Sequence, residues 1–145
     1  MILATGANSQ LGHGIVEYLS KRTGPAQIIA ALHDPGSLSP PDGVAVRRAD
    51  FADPASLPCA FAGVARIGIV SGDKLGEEAR TLHHNAIAAA CDAGVERILY
   101  RSHAGARQGS PFPSAHQHAV SEVELEANGT LFTALRQGLY AQSCL

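Results

Sequence analysis

The sequence has little of what several common protein classes need. It contains no tryptophan, aromatic residues make up 5% of its 145 residues, and no basic or acidic block runs along it. Eleven basic and thirteen acidic residues give a formal net charge of −2. A nearly neutral chain without a basic block lacks the charge that attracts nucleic acids and anionic membrane surfaces. We therefore expect neither nucleic acid nor a membrane as a partner.

Cysteine and long apolar runs are scarce as well. Cys59, Cys91 and Cys144 are widely spaced and form no Cys-x-x-Cys pair, which indicates reduced thiols and not a disulfide framework. No apolar run approaches the roughly 20 residues of a membrane-spanning helix. Met1 leads directly into a predicted strand, which leaves no room for a signal peptide. These features predict a cytoplasmic protein, and they leave its oligomeric state open.

Metal-binding and hydrolase motifs are missing. The sequence has neither a His-Glu-x-x-His nor a Gly-x-Ser-x-Gly pattern. His83 and His84 are adjacent on a predicted helix, and His116 and His118 are two residues apart on another. Side chains at those spacings point in different directions, so we expect no metal site.

The chain also lacks the Tyr-x-x-x-Lys pair that many nucleotide-dependent reductases use. Its only lysines are Lys21 and Lys74, and neither lies four residues after a tyrosine. A tyrosine–lysine proton relay is thereby excluded. Any reduction would depend on the geometry of hydride transfer and on weaker acids, such as His103 or a bound water.

What the sequence does have is a glycine turn close to its start. A short apolar run, 1–4, leads into Gly6-x-x-Ser9-x-x-Gly12, and an amphipathic stretch follows. A strand that passes through a glycine turn into a helix is typical of the first unit of a dinucleotide-binding fold. The free N–H groups of such a helix suit a pyrophosphate. The turn therefore predicts a phosphate cradle, with a plain strand-to-helix turn as the alternative.

Strands and helices alternate along the rest of the chain. The predicted strands are 2–5, 27–32, 44–49, 65–71, 96–101 and 131–135. The predicted helices are 10–22, 53–63, 77–93 and 114–128. This order predicts one domain, 1–145, of the α/β class: a Rossmann-type, doubly wound parallel sheet of about six strands in a three-layer α/β/α arrangement. Ligands of this fold bind at the carboxyl ends of the strands.

Helix ends and faces give more detailed expectations. Asp53 before Pro54 predicts a helix that an aspartate caps. Ser114-x-x-Gln117 predicts a capping box at the start of a later helix. In the longest helix, an alanine-rich stripe that includes Leu82 is expected to face the sheet.

Two strand ends carry candidate groups for the adenosine half of a cofactor. His33 and Asp34 follow the second strand, where a carboxylate can hold ribose hydroxyls, although Asp34 before Pro35 also suits a turn. Asp50 and Phe51 follow the third strand and could hold an adenine, or could form a turn with a core phenylalanine. Both alternatives stay open, as does the choice between NAD and NADP.

Two further strand ends carry candidate groups for the reactive half. Ser71 and Gly72 follow the fourth strand, where a cofactor would cross the sheet. Ser102 and His103 follow the fifth strand, the natural place for catalytic or nicotinamide-facing groups.

Six short segments occur along the chain in one consistent order: Thr5-Gly6-Ala7 with Leu11-Gly12, Arg48-Ala49-Asp50-Phe51, Ser102-His103-Ala104-Gly105-Ala106, His118 with Glu122, Thr133-Ala134-Leu135-Arg136 and Gly138-x-Tyr140. Together they resemble the NmrA-like group, whose members are atypical short-chain dehydrogenases/reductases. Within that group, the chain resembles the bacterial NAD(P)H:quinone oxidoreductases.

The resemblance implies a Rossmann sheet that binds NADP(H) and reduces a small quinone by hydride transfer, although NAD(H) stays open because of His33. The implied phosphate-binding residues are Gly6, Asn8, Gln10, Leu11 and Gly12, and Ser9 between them is a further candidate through its hydroxyl. The resemblance also implies adenine binding by Asp50 and Phe51, a nicotinamide near Ser71, Ser102 and His103, and a catalytic set of Ser102, His103 and His118. His118 stands in the helix where ordinary members of the superfamily carry their lysine.

The chain departs from the family pattern in ways that keep other functions open. Ser9 replaces a glycine, His33 replaces an arginine, and Arg101 and Gln137 replace a small hydroxyl residue and an asparagine. Family members continue into a smaller C-terminal lobe that closes over the substrate, so we expect a truncated C-terminal region here. The alternatives to a reductase are a non-catalytic redox-sensing module that binds NAD(P) and an inactive remnant.

Overall fold

The computed structural model describes residues 1–72 and 74–138. Within these residues, six strands and four α-helices lie close to the predicted positions, and an α-helix separates consecutive strands everywhere except between the second and third. The strands are β1 (Ile2–Thr5), β2 (Ile28–Leu32), β3 (Ala45–Arg48), β4 (Arg66–Ile69), β5 (Arg97–His103) and β6 (Leu131–Gln137). The α-helices are α1 (Gln10–Thr23), α2 (Leu57–Phe61), α3 (Gly76–Asp92) and α4 (Pro113–Asn128).

The six strands form one parallel sheet in the order β3-β2-β1-β4-β5-β6. The order reverses between β1 and β4, because β2 and β3 lie on one side of β1 and the later strands lie on the other. A reversal of this kind opens a crevice at the carboxyl ends of the two central strands. The prediction of a six-stranded Rossmann-type sheet is confirmed.

Apolar side chains cover the two faces of the sheet in separate clusters. Leu3 of β1 belongs to a large cluster that includes residues of α2, α3 and α4, and Ala4 belongs to a smaller one that includes Val16 of α1. Successive residues of a strand point to opposite faces, so β1 supplies both clusters. The result is the expected three-layer arrangement.

The two predicted helix caps differ from the structure. Asp53 is the N-cap residue before Pro54, as predicted, but its side chain makes no cap hydrogen bond among the described residues, and its Oδ2 accepts from Arg48 at 2.7 Å. A 3₁₀ turn, Pro54–Ser56, leads into α2 instead. The predicted capping box at Ser114 is absent, because α4 begins at Pro113 and Ser114 lies inside the helix. Phe112 occupies the N-cap position and makes no side-chain cap hydrogen bond within the described chain.

The inner face of α3 differs from the predicted alanine stripe in one important respect. Ala86 is buried as expected, but Leu82 is only half-buried, and the neighbouring His83 is 2% exposed. The reason is that α3 packs against α4 as well as against the sheet, which turns a second strip of the helix inward. A polar side chain is thereby placed in the core.

The cysteines in the described residues are free thiols. Cys59 is exposed and Cys91 is partly buried. The third cysteine, Cys144, lies outside the described residues. So does Tyr140, which is part of the family pattern. In the described part of the chain, no helix combines the length and the hydropathy that crossing a bilayer requires.

Candidate dinucleotide and active site

A pocket of about 670 Å³ opens at the carboxyl edge of the sheet, beside the reversal of strand order. One side, here called the glycine-turn wall, consists of Ser9, Gln10 and Leu11. The opposite side, here called the histidine wall, consists of Arg101, Ser102, His103, Gln117 and His118. Ser71 and Gly72 lie at the end of β4 and also line the pocket. The structure thus brings together eight of the predicted site residues from four separate segments.

The glycine turn is shaped by close packing of backbone. Gly6 has a φ of +61°, a conformation that residues with a Cβ seldom adopt. A Cβ placed on Gly12 would lie 2.1 Å from the carbonyl oxygen of Gly6, so only glycine permits α1 to approach β1 this closely. Both glycines therefore set the position of the helix start.

Ser9 is the N-cap residue of α1. Its Oγ accepts a hydrogen bond from the Gly12 backbone N–H at 3.1 Å, and its φ of −78° needs no glycine. The hydroxyl hydrogen of Ser9 stays available to a ligand. The first turn of α1, all of which is described, contains no acidic residue. The positive end of the helix dipole and its free N–H groups therefore face the pocket uncompensated.

The crevice between β1 and β4 is held at its mouth by a side chain. Backbone pairing of these strands extends to Ala4 and Gly68. Beyond it, the Thr5 Oγ1 accepts from the Val70 N–H at 2.9 Å. A Cβ on Gly72 would meet no atom of the described chain within 4 Å, so the space above it is open.

His103 stands at the end of β5 with one ring nitrogen already engaged. Its Nδ1 accepts from the Gly105 N–H at 3.0 Å, which leaves Nε2 as the nitrogen that carries hydrogen in the neutral ring. The ring stacks on His118 with centroids 6.4 Å apart and packs against Phe112 at 5.2 Å. Two imidazoles therefore lie side by side on the histidine wall.

Behind His118 lies a buried polar cluster that the sequence analysis did not find. The Tyr100 hydroxyl lies 2.8 Å from Nδ1 of His118 and 3.0 Å from Nδ1 of His83. Burial, together with the positive charge of Arg101, lowers the pKa of His83 to about 4. Burial also lowers the pKa of His118 to about 4, with contributions from His83 and Arg101. Both imidazoles are therefore neutral near pH 7.

Ser102 is tied into an ion pair beside this cluster. Its Oγ donates to Oε1 of Glu122 at 2.5 Å, and Arg136 donates to both carboxylate oxygens of Glu122. Burial raises the pKa of Glu122, but the hydrogen bonds from Arg136 and Ser102 outweigh it and lower that pKa overall. The Ser102 hydrogen is committed to the carboxylate, so its oxygen can only accept a hydrogen bond from a ligand.

A family model described as NAD(P)H-binding matches residues 6–141. The chain belongs to this NAD(P)H-binding family. A curated relative, quinone oxidoreductase 2 of Escherichia coli, is 38% identical over all of this chain and 51% of its own length. An NmrA-like family domain-containing oxidoreductase of Aspergillus flavus is 28% identical over 97% of this chain and 48% of its own. The predicted NmrA-like membership is confirmed.

Solved structures agree with this assignment. The triphenylmethane reductase of Citrobacter sp., complexed with NADP(H), has a TM-score of 0.93 and 36% identity over 100% of this chain and 52% of its own. The NADPH complex of an Escherichia coli quinone oxidoreductase has a TM-score of 0.89 and 37% identity over 98% and 50%. The chain spans about half the length of the curated relatives it matches.

Within this NAD(P)H-binding domain, the remaining predicted residues lie outside the pocket lining. Gly6, Asn8 and Gly12 form the turn next to it, and His33 is exposed at the end of β2. Their roles in cofactor binding stay predictions.

The predicted adenosine-binding residues are engaged locally. Asp34 accepts from the Gly36 N–H at 3.1 Å, so it caps a turn. Asp50 accepts from the Ala52 N–H at 2.9 Å, and Phe51 packs against the larger core cluster. Adenine binding by Asp50 and Phe51 stays a prediction.

The residues that the sequence analysis missed are Tyr100, His83, Glu122 and Arg136 in their site roles. Alternation along β5 places Tyr100 on the same face as Ser102, which is the one signal that could have directed it inward. Among residues 1–72 and 74–138, no three His, Cys, Asp or Glu side chains cluster closely enough to hold a metal ion.

Proposed function

We propose that this chain is the cofactor-binding domain of an NADPH-dependent quinone reductase. The observation that supports this most is the pocket itself, which places a free helix N-terminus on one wall and two imidazoles on the other, across an open crevice. The bound cofactor supplies a hydride, and with one proton from solvent the quinone becomes a hydroquinone while NADPH becomes NADP⁺.

The glycine-turn wall would bind the pyrophosphate. Gln10 and Leu11, at the start of α1, line the pocket, where the N–H groups of a first helical turn can donate to phosphate and the dipole of a 14-residue helix adds positive potential. The Ser9 hydroxyl can donate a further hydrogen bond. The open space above Gly72 would let the cofactor cross from β1 to β4.

A preference for NADPH over NADH follows from the end of β2. The carboxylate of Asp34 already caps its own turn through Oδ1, which leaves less of it for ribose hydroxyls. His33 lies exposed beside it, where its imidazole can donate a hydrogen bond to a 2′-phosphate. The two solved relatives described above bind NADP(H) or NADPH, which agrees with this preference.

The histidine wall would face the nicotinamide and the quinone. His103 and His118 offer ring nitrogens to a carbonyl oxygen, while Ser102, held by Glu122, offers an acceptor to a carboxamide N–H. We also infer a single domain over 1–145 and a cytoplasmic location, the latter supported by the free thiols of Cys59 and Cys91.

Two measurements on the chain as it stands test this proposal. Titration with NADPH and with NADH, followed by nicotinamide fluorescence, should show tighter binding of NADPH. Addition of a benzoquinone should then accelerate the loss of absorbance from the reduced nicotinamide over a protein-free control. An unchanged rate with intact NADPH binding would replace the reductase by the redox-sensing module, and no binding of either nucleotide would leave the inactive remnant.

A variant that fills the crevice, compared with a matched control, tests where the cofactor binds. Gly72→Leu adds a side chain where an added Cβ meets no described atom, so the fold should persist while the cofactor is blocked. Gly14→Ala adds a methyl group to open space on α1 and should leave binding unchanged. Equal NADPH affinity in the two variants would place the cofactor elsewhere.

A further inference from the structure

A chain of hydrogen-bonding side chains runs from the pocket into the core. It starts at His118, passes through the Tyr100 hydroxyl to Nδ1 of His83, and ends at the Ser121 hydroxyl, 3.1 Å from that nitrogen. All four residues are at most 5% exposed. Nε2 of His118 bonds to no described residue, and this side chain lines the pocket. The orientation of the buried hydrogens therefore decides what His118 presents to a ligand.

Counting hydrogens favours one orientation. Ser121 can donate to the Gln117 carbonyl oxygen at 3.4 Å, and one N–H on Nδ1 of His83 can then be shared between Ser121 and Tyr100. The Tyr100 hydrogen is thereby directed to Nδ1 of His118, along the shortest contact of the chain. All four contacts then contain a hydrogen.

The reverse orientation leaves a contact unsatisfied. If Tyr100 donated to His83, the bare Nδ1 of His83 would offer one lone pair to two neighbours, so it would either be shared by Tyr100 and Ser121 or leave the Ser121 contact without a hydrogen. Two buried polar atoms with no hydrogen between them have lost their hydrogen bonds to water and gain no hydrogen bond to each other in return. The first orientation is therefore favoured.

We propose that the Ser121–His83–Tyr100 chain fixes His118 as the tautomer with hydrogen on Nε2, so that His118 donates a hydrogen bond to the carbonyl oxygen of the hydride acceptor. Tyr100, His83 and Ser121 act as positioning residues in this arrangement. The role toward the acceptor rests on the proposed quinone reduction, whereas the tautomer itself does not.

The surroundings keep His118 neutral, which suits donation without loss of the proton. The cationic Arg101 and the imidazoles of His83 and His103 face it, and Glu122 is the nearby carboxylate. A neutral imidazole N–H can stabilise charge that develops on a carbonyl oxygen, while solvent supplies the proton of the product.

Nitrogen NMR of the histidine rings tests the tautomer directly. In the ¹⁵N-labelled wild-type protein, we expect His118 to show a protonated Nε2 and an unprotonated Nδ1 at neutral pH. His103 serves as an internal control, because the Gly105 N–H fixes the same tautomer independently of Tyr100. Hydrogen on Nδ1 of His118, or a doubly protonated ring, would overturn the proposal.

Two variants test the cause. Ser121→Ala removes the contact that distinguishes the two orientations, so His118 should become a mixture of both tautomers. Tyr100→Phe removes the donor to Nδ1, and His118 should lose its fixed tautomer while His103 keeps its own. A His118 signal that stays unchanged in Ser121→Ala, which should fold normally, would contradict the argument even if Tyr100→Phe did not fold.

Kinetics separate this inference from the proposed function. Tyr100→Phe should lower kcat for quinone reduction roughly ten-fold or more, with the NADPH dissociation constant unchanged. A wild-type protein that shows the Nε2–H tautomer but reduces no quinone would refute the reductase and retain the tautomer assignment. A fully active variant with a mixed tautomer would refute the role of His118 toward the acceptor.

Discussion

The two walls of the pocket are built from different materials. The glycine-turn wall depends on backbone: a φ of +61° at Gly6, a contact that only Gly12 permits, and the free N–H groups of α1. The histidine wall depends on side chains that hydrogen bond to one another in the core, such as Tyr100 with His118. One wall tolerates changes of side chain on its surface, and the other wall is defined by them.

This difference separates two kinds of sensitivity. A wall built from backbone is disrupted by substitutions that cause a steric clash, and this effect does not depend on pH or on charge. A wall built from buried polar groups is destabilised when a proton or a hydrogen-bond partner is added or removed, because each unsatisfied group costs desolvation energy. The following experiments measure each kind on its own wall, from the largest expected effect to the smallest.

The largest effect is expected from Gly12→Ala. The new Cβ would lie 2.1 Å from the Gly6 carbonyl oxygen and 2.6 Å from its carbon, and both are backbone atoms of the turn. We expect a loss of about 3 kcal/mol or more in the free energy of unfolding, together with loss of NADPH binding. Urea denaturation and nucleotide titration measure the two effects.

Gly14→Ala is the matched control for that substitution. It lies two residues later on α1, and its added Cβ meets no described atom within 4 Å. Helix propensity alone predicts a gain of up to about 1 kcal/mol. Equal losses in the two variants would show that the contact at Gly12 is not the cause.

The second effect is a loss of stability in mild acid, which belongs to the histidine wall. The pKa values of His83 and His118 fall from 6.5 to about 4 on folding, so only the unfolded chain takes up protons between these values. Stability should therefore fall progressively as pH drops from about 6.5 to about 4. Denaturant midpoints measured across this range provide the test.

The double variant His83→Gln/His118→Gln should flatten that dependence while lowering stability at neutral pH. Glu122, whose pKa is also lowered on folding, adds a loss in the same direction at still lower pH. A wild-type stability that stays constant between pH 6.5 and 4 would refute the buried neutral state of both imidazoles.

A smaller effect is expected from Glu122→Gln. The substitution removes a carboxylate that accepts from Ser102 at 2.5 Å and from Nε of Arg136 at 3.0 Å. We expect a loss of about 1–2 kcal/mol, since charge-assisted hydrogen bonds to a nearly buried group are weakened. Glu17→Gln, which breaks the exposed pair with Lys21, should give no measurable change. Similar melting temperatures for both variants would contradict this.

The smallest effect is expected from Ser9→Gly on the glycine-turn wall. Glycine is also a good N-cap, so stability should fall by only a few tenths of a kcal/mol. NADPH affinity should weaken by about 0.5–1 kcal/mol, because the hydroxyl that can donate to phosphate is lost. Ser9→Thr retains the hydroxyl and should bind like the wild type. Tighter binding by the glycine variant would mean that the Ser9 side chain crowds the pyrophosphate.

Much of the fold could be predicted because the signals are local. Apolar runs bounded by Gly and Pro marked all six strands, and the turn around Gly6 and Gly12 marked the first unit. The errors arose where a side chain had a choice of partners. Asp53 pairs with Arg48 and leaves its helix uncapped, and Gln117 reaches the Lys74 carbonyl oxygen at 3.4 Å.

The candidate site was predicted only in part for a related reason. Residues at strand ends, such as His103, could be placed from topology, since parallel strands end at one edge. Tyr100 and His83 lie inside elements, and their pairing depends on how α3 and α4 meet over β5. Distances between helices are not encoded in periodicity, so this cluster could be recognised only in three dimensions.

The hydroxyl of Thr5 has a consequence for the width of the cleft. Where β1 and β4 diverge, it stands in for a backbone carbonyl and accepts the Val70 N–H that would otherwise be left without a partner. The two strands therefore separate just beyond this hydrogen bond and not before it. A valine at this position would have the same shape without the oxygen, so the cleft between β1 and β4 would have to narrow or a water would have to bind the Val70 N–H. The Thr5 hydroxyl oxygen thus determines where the two strands begin to separate.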